Sequence, residues 1–151
     1  MQKFINKLFN IKEAHAHCDI PCGIYTLEPA KIAAKTVVKM VEKIGEITPP
    51  TPQELLNRDA LGIKTRANSL MRYVMIKEEH AQIAKQELLI LWTDYFNEEH
   101  LKMFPDLHDK FWKATKLCSA NKREVSMAKA QELLEVVEEI AEMFKKAEAR
   151  K

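Results

Sequence analysis

The stretch from His17 to Tyr25, HCDIPCGIY, places one imidazole, two thiols and a proline within nine residues. Sulfur and nitrogen donors that close together are the ligand types that hold a late transition metal. A peptide cut after Ala16 would add one more donor, because His17 would then carry a free α-amine. The amine nitrogen, the backbone amide nitrogen of Cys18 and the Cys18 sulfur can bind one ion as two fused chelate rings. Ile20-Pro21 biases the chain toward a turn that returns the Cys22 thiolate to the fourth in-plane position. The His17 imidazole can then approach axially. The plainer alternative is a thiol pair without metal, either free or joined as a redox disulfide.

Zinc favours a tetrahedral set of four side-chain donors. A planar set of two nitrogens and two sulfurs with a metallated amide points instead to Ni(II) or Cu(II). Anionic amide and thiolate donors also stabilise a higher oxidation state, so the chemistry suggested is one-electron redox. The segment before the cut, MQKFINKLFNIKEAHA, intersperses apolar residues with lysine. It lacks the uninterrupted apolar core of about 7–15 residues that a secretory signal requires. Ala14-His15-Ala16 nevertheless resembles a small-residue cleavage site. The expectation is a removable leader at 1–16 and a working domain at 17–151, with the hook at 17–25 and helices over 29–147.

Those donors need a scaffold, and the composition favours helix. The 151 residues include only three glycines, with 46% hydrophobic and 30% charged residues, which suits one soluble domain. The formal charge is +2. Three of the 24 basic residues and one of the 22 acidic residues lie in the leader, so its removal leaves a formally neutral chain. That argues against nucleic acid as a partner. No apolar run approaches the roughly 20 residues of a membrane span.

Helical spacing predicts a first helix from Pro29 to Ile44, with Ile32, Ala33, Val37, Met40/Val41 and Ile44 inward and Gly45 ending it. After the stiff EITPPTP turn, Thr51-Pro52-Gln53-Glu54 reads as a capping box opening a short helix to about Leu61, interrupted near Gly62. One long helix follows from about Lys64 to Phe96, its stripe passing through Leu70, Val74, Lys77, Ala81, Ala84, Leu88, Leu91 and Tyr95. Residues 97–103 read as a loop. Pro105 opens a third main helix carrying Leu107, Phe111 and Cys118, and a fourth runs from about Val125 to Lys146 with Ala130, Leu134, Val137, Ile140 and Phe144 inward. The fold class expected is all-α, a four-helix bundle with an N-terminal metal-binding hook.

Most remaining chemistry-bearing side chains have ordinary readings. Cys118 reads as a small buried apolar group. Trp92, Phe96, Phe111 and Trp112 read as packing, and His100 and His108 as capping or interface residues. Di-iron bundles use Glu-x-x-His pairs, but the residues three before His80, His100 and His108 are Lys77, Asn97 and Pro105. A ferritin-like oxidase is disfavoured.

Two blocks together carry a family resemblance. HCDIPCGIY resembles the nickel hook of the nickel-containing superoxide dismutases, and LWTDYFNEEHLKMFPDLH, from Leu91 to His108, resembles a second signature of that family. The resemblance implies a nickel cofactor held by the amine and imidazole of His17, the amide and thiolate of Cys18 and the thiolate of Cys22. It further implies that Asp19 and Pro21 shape the hook, and that Tyr25 and Tyr95 line an approach limited to small anions. The implied activity converts superoxide to oxygen and hydrogen peroxide by Ni(II)/Ni(III) cycling. The implied assembly is a homohexamer, the partners are superoxide and a processing protease, and the location is cytoplasmic. The alternative is a nickel- or copper-binding helical protein without turnover. In some members a glutamate on the first helix and an arginine on the long helix orient the axial imidazole. Here the matching positions offer Ala33, Ala34 or Lys35, and His80. The stretch from Gly45 to Tyr73 also looks longer than in the shorter members.

Overall fold

A computed structural model describes residues 24–57 and 60–150, and all of its regular structure there is helical. The leader and the hook donors, including His17, Cys18, Asp19 and Cys22, lie outside the described residues.

Helix α1 runs Glu28–Gly45, with Pro29 in its first turn and the Glu28 N–H donating to Thr26 Oγ1 at 3.2 Å. It buries Ala30, Ala33, Ala34, Val37 and Val41, a stripe at helical spacing. Ile32, expected inward, stands 60% exposed just outside that stripe. Gly45 also departs from expectation. It remains inside the helix, and the cap residue Glu46 has right-handed backbone angles (φ −76°, ψ −15°). The chain leaves the helix because Pro49 and Pro50 follow, and a proline pushes its predecessor toward extended conformations.

The capping box forms as the sequence predicts. Thr51 Oγ1 accepts the Glu54 N–H at 3.2 Å and Glu54 Oε2 accepts the Thr51 N–H at 2.7 Å, opening α2, Pro52–Leu56. This helix stops short of the expected Leu61. Helix α3, Ala60–Ile90, passes through Gly62 rather than breaking there. One interior glycine costs about 1 kcal/mol relative to alanine, too little to end a helix of this length.

At 31 residues α3 is about 46 Å long against about 27 Å for the 18 residues of α1. Its buried residues Lys77, Ala81, Ala84 and Leu88 all lie in its C-terminal half. Leu70, expected in the core stripe, is 38% exposed, because this end of α3 extends past the bundle. A short apolar groove lined by Ile47, Pro50, Ile63 and Ala67 and an Arg66–Glu54 ion pair at 2.9 Å flank it there.

A π-helical turn, Leu91–Tyr95, continues α3 and closes with Phe96 N–H donating to Leu91 O at 3.1 Å. The segment expected as a loop contains helix α4, Glu98–Met103. Asn97 Oδ1 accepts the N–H groups of Glu99 (3.0 Å) and His100 (3.3 Å), while His100 Nδ1 accepts the Asn97 N–H (3.2 Å). A histidine thus takes the place of the usual glutamate in this box, which hides it from a sequence pattern. Helices α5, Leu107–Arg123, and α6, Met127–Glu148, complete the bundle.

Around the bundle α1 packs on α3 and α6, and α5 packs on the same two. Phe111, Leu88, Val137, Ile140 and Cys118 are fully buried between them. Leu133 takes the core position expected of Leu134, which is half-buried at the edge. Trp112, expected as packing, is 59% exposed, with Lys116 Nζ 5.4 Å from its ring centre. Lys77 is the exception in the apolar stripe of α3. Its ammonium donates to the carbonyls of Asn121, Lys122 (3.2 Å) and Glu124 (3.0 Å), oxygens that the end of α5 would otherwise leave unpaired. Positive charge is favoured there by the helix dipole.

Candidate metal centre and its aromatic approach

Tyr25 and Tyr95 are the two candidate site residues within the described part of the chain, and the fold brings them together. Tyr25 precedes α1 and ends the hook segment. Tyr95 ends the π-helical turn, 70 positions later in the numbering. Their ring centres are 5.6 Å apart at 65°, an edge-to-face contact.

Local structure explains why Tyr95 points inward. The π turn ends there, and Phe96 is extended (φ −75°, ψ 136°), so both consecutive aromatic rings enter the core at 8% exposure. Tyr95 then meets Phe96 (4.9 Å), Phe144 (4.5 Å) and a parallel His100 ring (5.4 Å). The His100 ring is itself held by the cap of α4. The Tyr95 hydroxyl donates to the Glu148 carboxylate at the end of α6. Burial, reinforced by that carboxylate, pushes the phenol well above the ordinary tyrosine range. It stays a phenol at any physiological pH.

The second sequence block is tied across its length. Trp92 Nε1–H donates to His108 Nδ1 at 2.8 Å, and the Trp92 ring stacks on Phe111 at 5.8 Å and 3°. His108 and His100 therefore do structural work, as capping and contact residues.

The remaining candidates separate cleanly. Ala33 and Ala34 are buried methyl groups and Lys35 is exposed, so this part of α1 brings no carboxylate to the bundle interior. His80 is half-buried on α3. Its Nδ1 lies 3.0 Å from the Ile76 carbonyl, which can only accept, so Nδ1 carries a proton and donates it. Cys118 is fully buried and burial pushes its thiol up to about 12, which keeps it from acting as a thiolate ligand.

Among the described residues no three of His, Cys, Asp and Glu gather as a metal site. The donors of residues 17–22 fit nickel by chemistry, being two thiols, an imidazole and backbone nitrogen within six residues of sequence. Sequence reasoning missed Glu148. An acid at the exposed end of a helix carries no pattern that separates it from solvated surface.

The family model for nickel-containing superoxide dismutase matches residues 12–148. The superoxide dismutase [Ni] of Streptomyces seoulensis is 33% identical over 141 residues, covering 93% of this chain and 95% of the relative. That of Streptomyces coelicolor is 32% identical over the same shares. A native nickel superoxide dismutase crystal structure superposes with a TM-score of 0.70 at 29% identity, covering 88% of this chain and 99% of that one. A helical bundle with this course, sharing a third of its residues with these enzymes over almost its full length, belongs to the nickel-containing superoxide dismutase family.

Proposed function

We propose that the chain, shortened to begin at His17, is a nickel-dependent superoxide dismutase whose metal is held by His17, Cys18 and Cys22. The amine and imidazole of His17, the amide and thiolate of Cys18 and the thiolate of Cys22 supply the donors, and Asp19 and Pro21 shape the turn. Nickel held by these donors would supply one-electron redox chemistry between its 2+ and 3+ states, the chemistry that converting superoxide to oxygen and, with two protons, to hydrogen peroxide requires.

The protein's own residues control access and order. Pro21 shortens the search of the loop for its metal-binding shape. Tyr25 and Tyr95 place two aromatic rings together where the hook segment joins the bundle, and as linings of the approach they would exclude bulk water and anything larger than a small anion. Tyr95 remains protonated, so it adds no charge of its own to repel superoxide.

The single observation that carries this reading is the contact between Tyr25 and Tyr95, which joins the hook block to the second family block. The finer parts of the reading are removal of residues 1–16, a homohexamer and a cytoplasmic location. The first is supported by the amine requirement. The last is supported by a leader without an uninterrupted apolar core. No helix of the described residues is long and apolar enough to cross a membrane.

The test is metal analysis and N-terminal sequencing of natively produced protein, together with superoxide decay. About one nickel per subunit, His17 first, and rapid decay are expected, as the ligand set requires. Zinc alone, or full activity in a chain still beginning at Met1, would overturn the proposal. Tightly held nickel without superoxide decay would leave a metal-binding protein, not an enzyme.

A further inference from the structure

Tyr95 has one hydroxyl proton, and that proton is committed. It is donated to Glu148 Oε1 across 53 residues of sequence, from the end of the π turn to the last residue of α6. A phenol that donates to a carboxylate can only accept from any other neighbour. Hydrogen bonds with one ionised partner are also the stronger class, so this one fixes the hydroxyl's rotation.

Helix stability does not account for an acid at this place. The C-terminal end of a helix carries partial negative charge, which favours cations. Lys145 and Lys146 in the same last turn follow that rule, and Glu148 breaks it. The tyrosine it serves is held rigidly, with Tyr25, Phe96, His100 and Phe144 all within 5.6 Å between ring centres. With the ring packed among four others, the orientation of its hydroxyl is set by the acceptor to which it donates.

We propose that Glu148 is a positioning residue for the superoxide reaction: it holds the Tyr95 proton away from the approach, so that Tyr95 offers incoming anions no hydrogen bond. The inference rests on the reading of Tyr95 as a lining of that approach. Tyr95 then acts as an unreactive wall, and its proton is not given to the substrate. Losing the carboxylate frees the hydroxyl to donate to the anion, which should be held more tightly than the wild type holds it.

Two readouts on the nickel-loaded protein test this. The first, independent of turnover, is solvent exchange of the Tyr95 hydroxyl proton by nuclear magnetic resonance. Exchange should be slow in the wild type and in Glu148→Gln, whose amide oxygen still accepts, and fast in Glu148→Ala. The second is steady-state kinetics. Glu148→Ala should lower KM for superoxide by about threefold or more with kcat little changed, and that effect should vanish in a Tyr95→Phe background. If Glu148→Ala fails to fold, Glu148→Asp, which keeps the charge but loses the reach, should show the same fast exchange and lowered KM. Unchanged exchange in these variants, an unchanged KM, or an equal KM drop without the Tyr95 hydroxyl would each overturn the proposal. A wild-type protein without superoxide decay would instead refute the enzymatic reading, while the exchange measurement would still decide whether Glu148 holds the proton.

Discussion

Tyr25 presents its ring edge-on to Tyr95, 5.6 Å between centres, so the residue that closes the hook segment is braced on the π-helical end of α3. Such contacts contribute about 0.5–1.5 kcal/mol beyond buried area. Tyr25→Phe keeps that ring contact and should leave nickel content unchanged. Tyr25→Ala removes the brace and should reduce turnover by about tenfold or more, the scale of a lost positioning contact. Nickel per subunit, melting curves and superoxide decay on both variants check this. Equal turnover in Tyr25→Ala and wild type would show that the ring is dispensable.

The hook and the bundle should be separable. Among the described residues the buried core around Phe111, Leu88 and Ile140 is formed from Leu27 onward, and the hook segment reaches it through Tyr25. Cys18→Ser and Cys22→Ser should each abolish nickel-dependent turnover while the circular dichroism and unfolding midpoint stay within error. Near-wild-type superoxide decay in either variant would show that its thiolate is not a ligand.

Lys77 closes the end of α5 with three carbonyl contacts, and removing it leaves the buried Asn121 carbonyl and the part-buried Lys122 and Glu124 carbonyls without that donor. Lys77→Met preserves much of the side-chain volume and should cost about 2–4 kcal/mol of stability. Urea unfolding measures it. A change below about 0.5 kcal/mol would mean the carbonyls find water when the ammonium is gone.

Cys118 gives a pH-dependent signature. Its thiol ionises near 9.0 when unfolded and about 12 when folded. Between those values the unfolded chain holds fewer protons, so stability falls as pH rises, while below pH 9 the contribution is complete. Cys118→Ala should flatten the loss of stability above pH 9 measured by urea unfolding. An alkaline slope as steep as the wild type's would show that another group governs it. At neutral pH the native thiol should also resist alkylating reagents that label it in urea.

Gly45 sits inside α1 in an ordinary helical conformation, and a Cβ placed there meets nothing within 4 Å. Gly45→Ala should therefore stabilise the protein by about 0.5–1 kcal/mol, measured as a raised unfolding midpoint. A loss of stability would indicate that the glycine is needed in a way the backbone does not reveal.

Local and periodic features were legible before any coordinates. The Thr51–Glu54 capping box, the inward faces of α1, α5 and α6 apart from Ile32 and Leu134, and the buried Cys118 follow from spacing and residue type, because short-range sterics and hydrophobic periodicity act within a few residues. Misreadings came where a neighbour outside the window decided the outcome. Gly62 was absorbed by a long helix, Gly45 proved unnecessary as a stop, and residues 98–103 became helical through a histidine-closed box. Among the described residues no partner helix covers Leu70 or Trp112.

The same division holds at the site. The donor set proposed for His17, Cys18 and Cys22 rests on the sequence alone, since chelate rings depend on covalent spacing, and so does the pair of blocks that mark the family. Only tertiary structure set Tyr25 against Tyr95, sent the Tyr95 proton to Glu148, and gave Lys77 its three carbonyls. Those relationships join residues from 44 to 70 positions apart. Contacts at that range exist only after the helices pack, because no local rule of spacing or propensity reaches across a bundle.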